Sequence, residues 1–165
     1  MLRLSKVLFA ALLLTLAGGA VADEPKEIMW EDLVPEGWYP PMPQYSAADF
    51  LDESGPAAEQ IAVDAPVIDE LDDQYIRIPG FILPVEFTDD AISEFLLVPY
   101  VGACIHVPPP PSNQIVYVRL AEPLRGTSLF DPVWVEGTMN IEKKKSEYAV
   151  SGYTLDGDNI TKYEW

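Results

Sequence analysis

The sequence VWVEGTMNI, residues 133–141, places a core-facing residue at every second position. An alternation of period two is typical of a β-strand with one face in a core. Residues 75–84 alternate in the same way until Pro79-Gly80, as in a bent edge strand. Residues 114–120 and residues 147–154 predict two further strands. The sequence therefore indicates a mainly β protein.

Polar segments between these strands predict the connections. KKKS, residues 143–146, predicts a solvated turn that joins residues 133–141 and 147–154 into a hairpin. DGDN, residues 156–159, predicts another turn. Residues 88–97 begin with good capping residues and predict one short helix.

Strand count and glycine positions favour one architecture. Gly80, Gly137 and Gly152 are where a small sheet would bend sharply. Four or five strands with one short helix and closely spaced turns predict a small OB-like barrel. A β-sandwich is the alternative.

The first 22 residues have the order of a secretory signal peptide. Arg3 and Lys6 precede an uncharged apolar run at residues 7–16, and small residues lead to Ala20-Val21-Ala22. The run is too short to span a bilayer comfortably, and no cysteine follows it to accept a lipid. We therefore expect cleavage after Ala22, a periplasmic location, and no transmembrane span after processing.

The charge of the chain excludes two classes of partner. The 165 residues include 27 acidic and 10 basic ones, a net charge of −17. Removal of residues 1–22 leaves 27 acidic against 8 basic residues, or −19. Such a surface repels nucleic acid and anionic lipid, so neither is expected as a partner. It attracts cations and basic protein patches.

Composition divides the mature chain into an acidic, proline-rich arm at residues 23–73 and a β-domain at residues 74–165. The arm holds 15 acidic residues, one basic residue and seven prolines, which opposes a packed core. Trp30, Trp38 and Phe50 are apolar anchors with which the arm would wrap around the β-domain.

The stretch VPYVGACIHVPPPP, residues 98–111, contains the single cysteine and the single histidine of the chain, Cys104 and His106. In an extended segment, side chains two residues apart lie roughly 6 to 7 Å from each other on one face. Alternation here would place Val101, Ala103, Ile105 and Val107 against the core and Tyr100, Gly102, Cys104 and His106 away from it.

A thiolate and an imidazole suit zinc or copper, and Cys104 and His106 are the predicted metal ligands. They supply two of four positions, so a closed structural zinc site is excluded and an open or shared site is expected. The third ligand stays open. The conceivable candidates are Glu86, Asp89, Asp90 and Met139.

Two other interpretations of this pair stay open. Cys104 could be a small buried residue, with His106 a hydrogen-bonded neighbour, in a protein-interaction scaffold that binds no metal. The histidine could instead activate the thiol in a thiol enzyme, although no partner for the imidazole and no Cys-x-x-Cys pattern is present. The four prolines form a stiff strap beside the pair or a platform for a partner.

This motif, together with PGFILP at residues 79–84 and V-x-G at residues 135–137, resembles an uncharacterised family of bacterial exported proteins defined as a domain of unknown function. The resemblance extends over most of residues 74–165. It implies an exported protein that acts beside ABC-type export or metal-uptake systems, and it supplies no catalytic residue. We therefore predict a non-enzymatic periplasmic accessory or binding protein with an envelope partner, an ABC transport system being the one implied.

Overall fold

The computed structural model describes residues 24–41, 59–88, 91–101, 103, 108–126 and 131–164. These residues form eight strands: β1 (Lys26–Glu27), β2 (Tyr75–Thr88), β3 (Ala91–Val98), β4 (Val116–Arg125), β5 (Val133–Asn140), β6 (Lys144–Lys145), β7 (Val150–Ser151) and β8 (Tyr153–Lys162). They also form three single turns of 3-10 helix: Trp30–Leu33, Asp69–Leu71 and Ser112–Gln114. None of the helices within the described ranges is long and apolar enough to cross a membrane. The predicted signal peptide lies outside the described residues.

Five of the strands close into a barrel. They follow the order β2-β3-β4-β8-β5, and β5 pairs with β2 to complete the ring. The neighbours run antiparallel except β4 and β8, which are parallel. A five-stranded Greek-key barrel of this kind is the OB type, so the prediction of a mainly β, small OB-like barrel is confirmed.

Strand β2 closes the ring because it changes partner halfway along its length. Tyr75 to Gly80 pair with β5, and Phe81 to Thr88 pair with β3. Gly80 stands at the change, where a Cβ would lie 2.8 Å from Cγ of Leu97 and 2.9 Å from the carbonyl oxygen of Val98. The predicted bend at Pro79-Gly80 is therefore the point along β2 where its pairing with β5 ends and its pairing with β3 begins.

Gly137 allows β5 and β8 to approach each other closely. A Cβ there would lie 2.2 Å from the carbonyl oxygen of Asp156 on β8. The pairing of β5 with β8 also shifts its register between Glu136 and Gly137. This irregularity bends the sheet at one of the glycines where the sequence predicts a bend.

The N-terminal segment packs against the barrel end that holds the start of β8. Ile28 and Leu33 are buried in the barrel core, as are Leu71 and Met139. Tyr153, at the start of β8, donates its phenol hydrogen to the carbonyl oxygen of Leu33 at 2.8 Å and accepts from the amide of Ile68 at 2.7 Å. Burial raises the pKa of Tyr153 to about 12. One phenol thus joins two segments of the predicted arm to the barrel.

The predicted helix at residues 88–97 is wrong, because Ala91–Val98 is strand β3. Its side chains alternate between two apolar environments: Phe95 and Leu97 lie in the barrel core, and Leu96 and Val98 lie in a separate cluster outside it. Burial of both faces produces a continuous apolar run, which periodicity alone does not distinguish from a buried helix.

The last strand also differs from the prediction. Residues 156–159, predicted as a turn, lie within β8 and pair with β5, as does most of that strand. Of the predicted strand at residues 147–154, Val150–Ser151 pairs with Lys144–Lys145 as a small separate hairpin. The polar DGDN sequence forms strand because two neighbouring strands, β4 and β5, supply its backbone with partners.

We predict that Gly137→Ala lowers the free energy of unfolding by about 3 kcal/mol, because the new methyl group overlaps the Asp156 carbonyl and the barrel must shift. Gly126→Ala is the control. Gly126 has a positive φ of 68° but no atom within 4 Å of a Cβ, so its cost is about 1 kcal/mol of backbone strain. Urea unfolding of both variants measures the difference, and equal losses would contradict the steric explanation.

We predict that Tyr153→Phe lowers the free energy of unfolding by about 2 kcal/mol at pH 7, since Leu33 and Ile68 each lose a buried hydrogen-bond partner. Tyr39→Phe, at a ring that is 83% exposed, is the control and should have no effect. Denaturant unfolding measures both. A loss at Tyr153 no larger than at Tyr39 would show that the phenol does not hold the arm.

Candidate functional site

A second apolar cluster lies on the outer face of β2, β3 and β4. Successive residues of these strands alternate between the core and this cluster, so the cluster occupies the opposite face of the sheet. Its buried members are Leu83, Leu96, Val98, Ala103, Ile115, Tyr117 and Ala149. In OB barrels this outer face is a common ligand-binding surface. Here it is covered by the protein's own chain.

Two connections contribute to the cover. The β3–β4 connection contributes Ala103, which is 2% exposed, and the β5–β8 connection contributes Ala149, which is 7% exposed. The ammonium group of Lys144, on the small hairpin of β6 and β7, lies 5.3 Å from the ring centroid of Tyr117. The lysine run was predicted to be a solvated turn, but one of its members, Lys144, contacts the ring of Tyr117 on the covered face.

Tyr117 and Glu94 form the polar contact of this face. The phenol of Tyr117 donates a hydrogen bond to the carboxylate of Glu94. Burial, followed by this bond to Glu94, raises the pKa of Tyr117 to about 12. The phenol therefore stays protonated at neutral pH and acts as a donor, not as a base.

The proline run is a strap held against the protein. Pro109 and Pro110 are buried, and the carbonyl oxygen of Pro110 accepts a hydrogen bond from Nε2 of Gln60 at 2.9 Å. Ser112, at the end of the run, is fully buried. Its backbone oxygen accepts from the amide of Gly152 at 2.6 Å, and its hydroxyl oxygen accepts from the amide of Ala65 at 3.1 Å. These contacts favour the strap over an exposed platform.

Cys104 and His106, the predicted metal ligands, lie outside the described residues. Their described flanks are Ala103, buried in the outer cluster, and Pro108, the first residue of the strap. The prediction that Val101 faces the core is wrong, because Val101 lies in a turn and is 51% exposed. The strand-like alternation predicted from residue 100 onward therefore fails at its start.

Similarity to known proteins was found over most of the chain. Residues 30–162 match the model of a family described as a protein of unknown function, DUF3299. The chain belongs to the DUF3299 family. It is similar to the crystal structure of a DUF3299 family protein from Pseudomonas aeruginosa PAO1, with 46% sequence identity and a TM-score of 0.75. That match covers 86% of this chain and 98% of the other. No curated protein matches.

The predicted membership of a family of unknown function is thereby confirmed. DUF3299 membership also fits the position of the match, which begins at Trp30 in the N-terminal segment. In the structure Trp30 donates its indole hydrogen to the carbonyl oxygen of Pro79 at 2.7 Å, and its own carbonyl accepts from Gln114 at 2.7 Å. The matched region thus includes the segment that packs on the barrel.

The structure separates the conceivable third ligands in this DUF3299 chain. Met139 is fully buried in the barrel core, on the opposite side of the sheet from Ala103. Glu86 is exposed on β2 and lies opposite Glu94 on β3. Asp89 and Asp90 lie outside the described residues. Within the described ranges, no three His, Cys, Asp or Glu side chains are grouped to hold a metal ion.

Three residues of this region escape sequence analysis. Glu94 and Tyr117 lie on β3 and β4, and their pairing requires the correct register between these strands. Gln60 lies in the arm, 50 residues before its partner Pro110. No local pattern marks Gln60. Tyr117 could have been noticed in the sequence, because it is an aromatic residue on the polar face of the strand predicted at residues 114–120.

We predict that Tyr117→Phe changes the pH dependence of stability in this protein. The folded pKa of about 12 lies above the ordinary value of 10, so the native state keeps a proton that the unfolded state loses above pH 10. This contribution is complete below pH 10 and declines as the pH rises through 12, by about 1 kcal/mol per pH unit. The variant should lack this share of the decline, while Tyr153, whose pKa is also raised to about 12, contributes equally in both proteins.

Denaturant unfolding at pH 8, 10 and 11 measures this difference between wild type and variant. Tyr148→Phe, on the hairpin beside the same face and 36% exposed, is the matched control. The prediction fails when wild type and Tyr117→Phe lose stability in parallel above pH 10.

Proposed function

We propose that this protein is a non-enzymatic binding protein of the bacterial periplasm that holds zinc, or secondarily copper, through Cys104 and His106. The observation that carries the proposal is the way the structure holds both flanks of this pair. Ala103 is buried in the outer cluster, and Pro109 and Pro110 are buried in the strap. A short segment with both flanks held is a suitable place for two converging ligands.

Covalent geometry limits the segment between these flanks. Five peptide units join Ala103 to Pro108, so their Cα atoms lie at most about 18 Å apart. Within this span Cys104 and His106 are separated by one residue. A borderline-soft thiolate and an imidazole are ligands for zinc and copper, and their number leaves the remaining positions to water, a carboxylate or a partner.

The net charge and the predicted signal peptide support a cation-binding role in the cell envelope. The net charge of −17 favours the approach of cations and of basic protein surfaces. The sequence of residues 1–22 supports export, with cleavage after Ala22. An open site with two protein ligands suits transfer of the ion to a partner, and we propose an envelope transport system, of the ABC type, as that partner.

Metal titration of the reduced mature protein tests this function. We expect one zinc ion per chain or per dimer, bound with protection of Cys104 from iodoacetamide. Cys104→Ser should abolish this binding, and His106→Ala should weaken it at least tenfold. Glu122→Gln, at an exposed position of β4, is a control that leaves the pair intact.

The opposite result identifies the alternative function. A thiol that reacts only on unfolding, in a protein that takes up neither zinc nor copper, would contradict metal binding. It would indicate a protein-interaction scaffold in which Cys104 is a structural residue. Native mass spectrometry records the stoichiometry in the same samples, and Cys104→Ser would then lower stability only.

A further inference from the structure

The barrel has another outward sheet face, which differs in chemistry from the covered outer cluster. It is formed by the first half of β2, by β5 and by β8, which pair as neighbours. The odd-numbered residues of β5 are buried, so Trp134 and Glu136 point outward. We call this surface the β5 face. The residues that matter on it are Tyr75, Arg77, Trp134, Glu136, Asp158 and Tyr163.

Trp134 is a large apolar side chain that lies outside both apolar clusters. In the described part of the chain, neither Trp134 nor Tyr163 belongs to the barrel core or to the outer cluster. The two rings contact each other, with centroids 5.2 Å apart and planes at 47°. The guanidinium carbon of Arg77 lies 4.8 Å from the centroid of the Trp134 ring. A half-buried tryptophan beside a tyrosine and an arginine has the composition of an interface hot spot.

The β5 face also carries negative charge that the protein does not neutralise. Glu136 lies opposite Arg77 in the register of β5 and β2. Arg77 nevertheless pairs with Glu27, whose Oε2 lies 3.0 Å from Nε of the arginine. Within the described ranges, neither Glu136 nor Asp158 forms an ion pair. Both carboxylates are therefore available to a cation from outside.

These two carboxylates lie near the ring of Tyr75. A register shift after Glu136 leaves Asp158 of β8 without a partner on β5, at an exposed position. Burial, followed by the charges of Asp158 and Glu136, raises the pKa of Tyr75. Both charges thus act on the same phenol, which places them on the same side of the sheet. A ring with two carboxylates beside it suits a lysine or arginine side chain.

We propose that the β5 face is a docking surface for a basic segment of a partner protein. Cationic side chains of the partner pair with Glu136 and Asp158, and its apolar groups cover the ring of Trp134. Charge complementarity selects this occupant, because a chain with a net charge of −17 repels an acidic segment. A second copy of the chain would bring the same negative face. None of the six residues is Cys104 or His106, so this inference goes beyond metal binding and does not depend on it.

A basic peptide tests the surface directly. Fluorescein-labelled deca-arginine is titrated with the mature chain, and fluorescence anisotropy measures binding at about 0.15 M salt, which screens long-range attraction. We expect Trp134→Ala to weaken binding at least tenfold, as for a hot-spot residue. Glu136→Gln and Asp158→Asn should each weaken it about threefold, the effect of losing one partly exposed ion pair.

Two variants outside the β5 face are matched controls. Glu122→Gln removes one negative charge at an exposed position of β4. Tyr39→Ala removes a ring that is 83% exposed in the N-terminal segment. Both should bind the peptide as wild type does. Equal weakening by Glu122→Gln, Glu136→Gln and Asp158→Asn would show a general attraction to an acidic chain and would overturn the proposal.

NMR of the wild-type chain keeps the test independent of any loss of folding in Trp134→Ala. With isotope-labelled tryptophan, the indole signal that is missing from the spectrum of Trp134→Phe belongs to Trp134. We expect this signal to shift when deca-arginine is added to wild type. Absence of a shift would overturn the proposal.

Two further outcomes would identify a different occupant. A shift of the Trp134 signal with chitohexaose but not with deca-arginine would indicate a neutral glycan as the ligand. A dimer found by native mass spectrometry in wild type but not in Trp134→Ala would indicate a second copy of the chain. Either result would overturn docking of a basic segment. Zinc binding by Cys104 and His106 is measured separately and stays unaffected by all of these outcomes.

Discussion

The barrel depends on one strand that pairs with two different partners in succession. The first six residues of β2 pair with β5 and the remainder pairs with β3, so the ring closes without an additional strand. Pro79-Gly80 permits the change, because Gly80 has no side chain where Leu97 approaches it. β3 does not pair with the first half of β2, and β1 pairs with β2 there instead. Closure and attachment of the N-terminal segment therefore depend on the same strand.

Burial of both sheet faces gives this small barrel two apolar clusters. The inner cluster is the barrel core, and the outer one is covered by the β3–β4 and β5–β8 connections. A barrel of this size has a small interior, and the outer cluster adds burial that does not require a longer chain. The outer cluster includes Ala103, the residue that precedes Cys104, so stability and one flank of the proposed site use the same surface.

Sequence analysis succeeds where a strand has one buried and one exposed face. The alternation of residues 133–141 corresponds to β5, whose odd-numbered residues are buried. It fails at β3, where both faces are apolar, and at residues 156–159, where two long-range pairings override turn-like residues. The candidate site likewise has one part that sequence analysis finds and one part that it does not. The Cys104/His106 spacing is local and visible, whereas the Gln60 contact has no local signature.

An open site with two ligands depends more on its surroundings than a closed one. With four protein ligands, binding of the ion itself compensates for ordering the chain. With two, less binding energy is available, and disorder of the intervening segment would weaken the affinity. The four prolines at residues 108–111 stiffen one flank of that segment, but they carry no backbone donor. Polar attachment of the strap therefore depends on donors elsewhere in the chain, and the side-chain amide of Gln60, which donates to Pro110, is one of them.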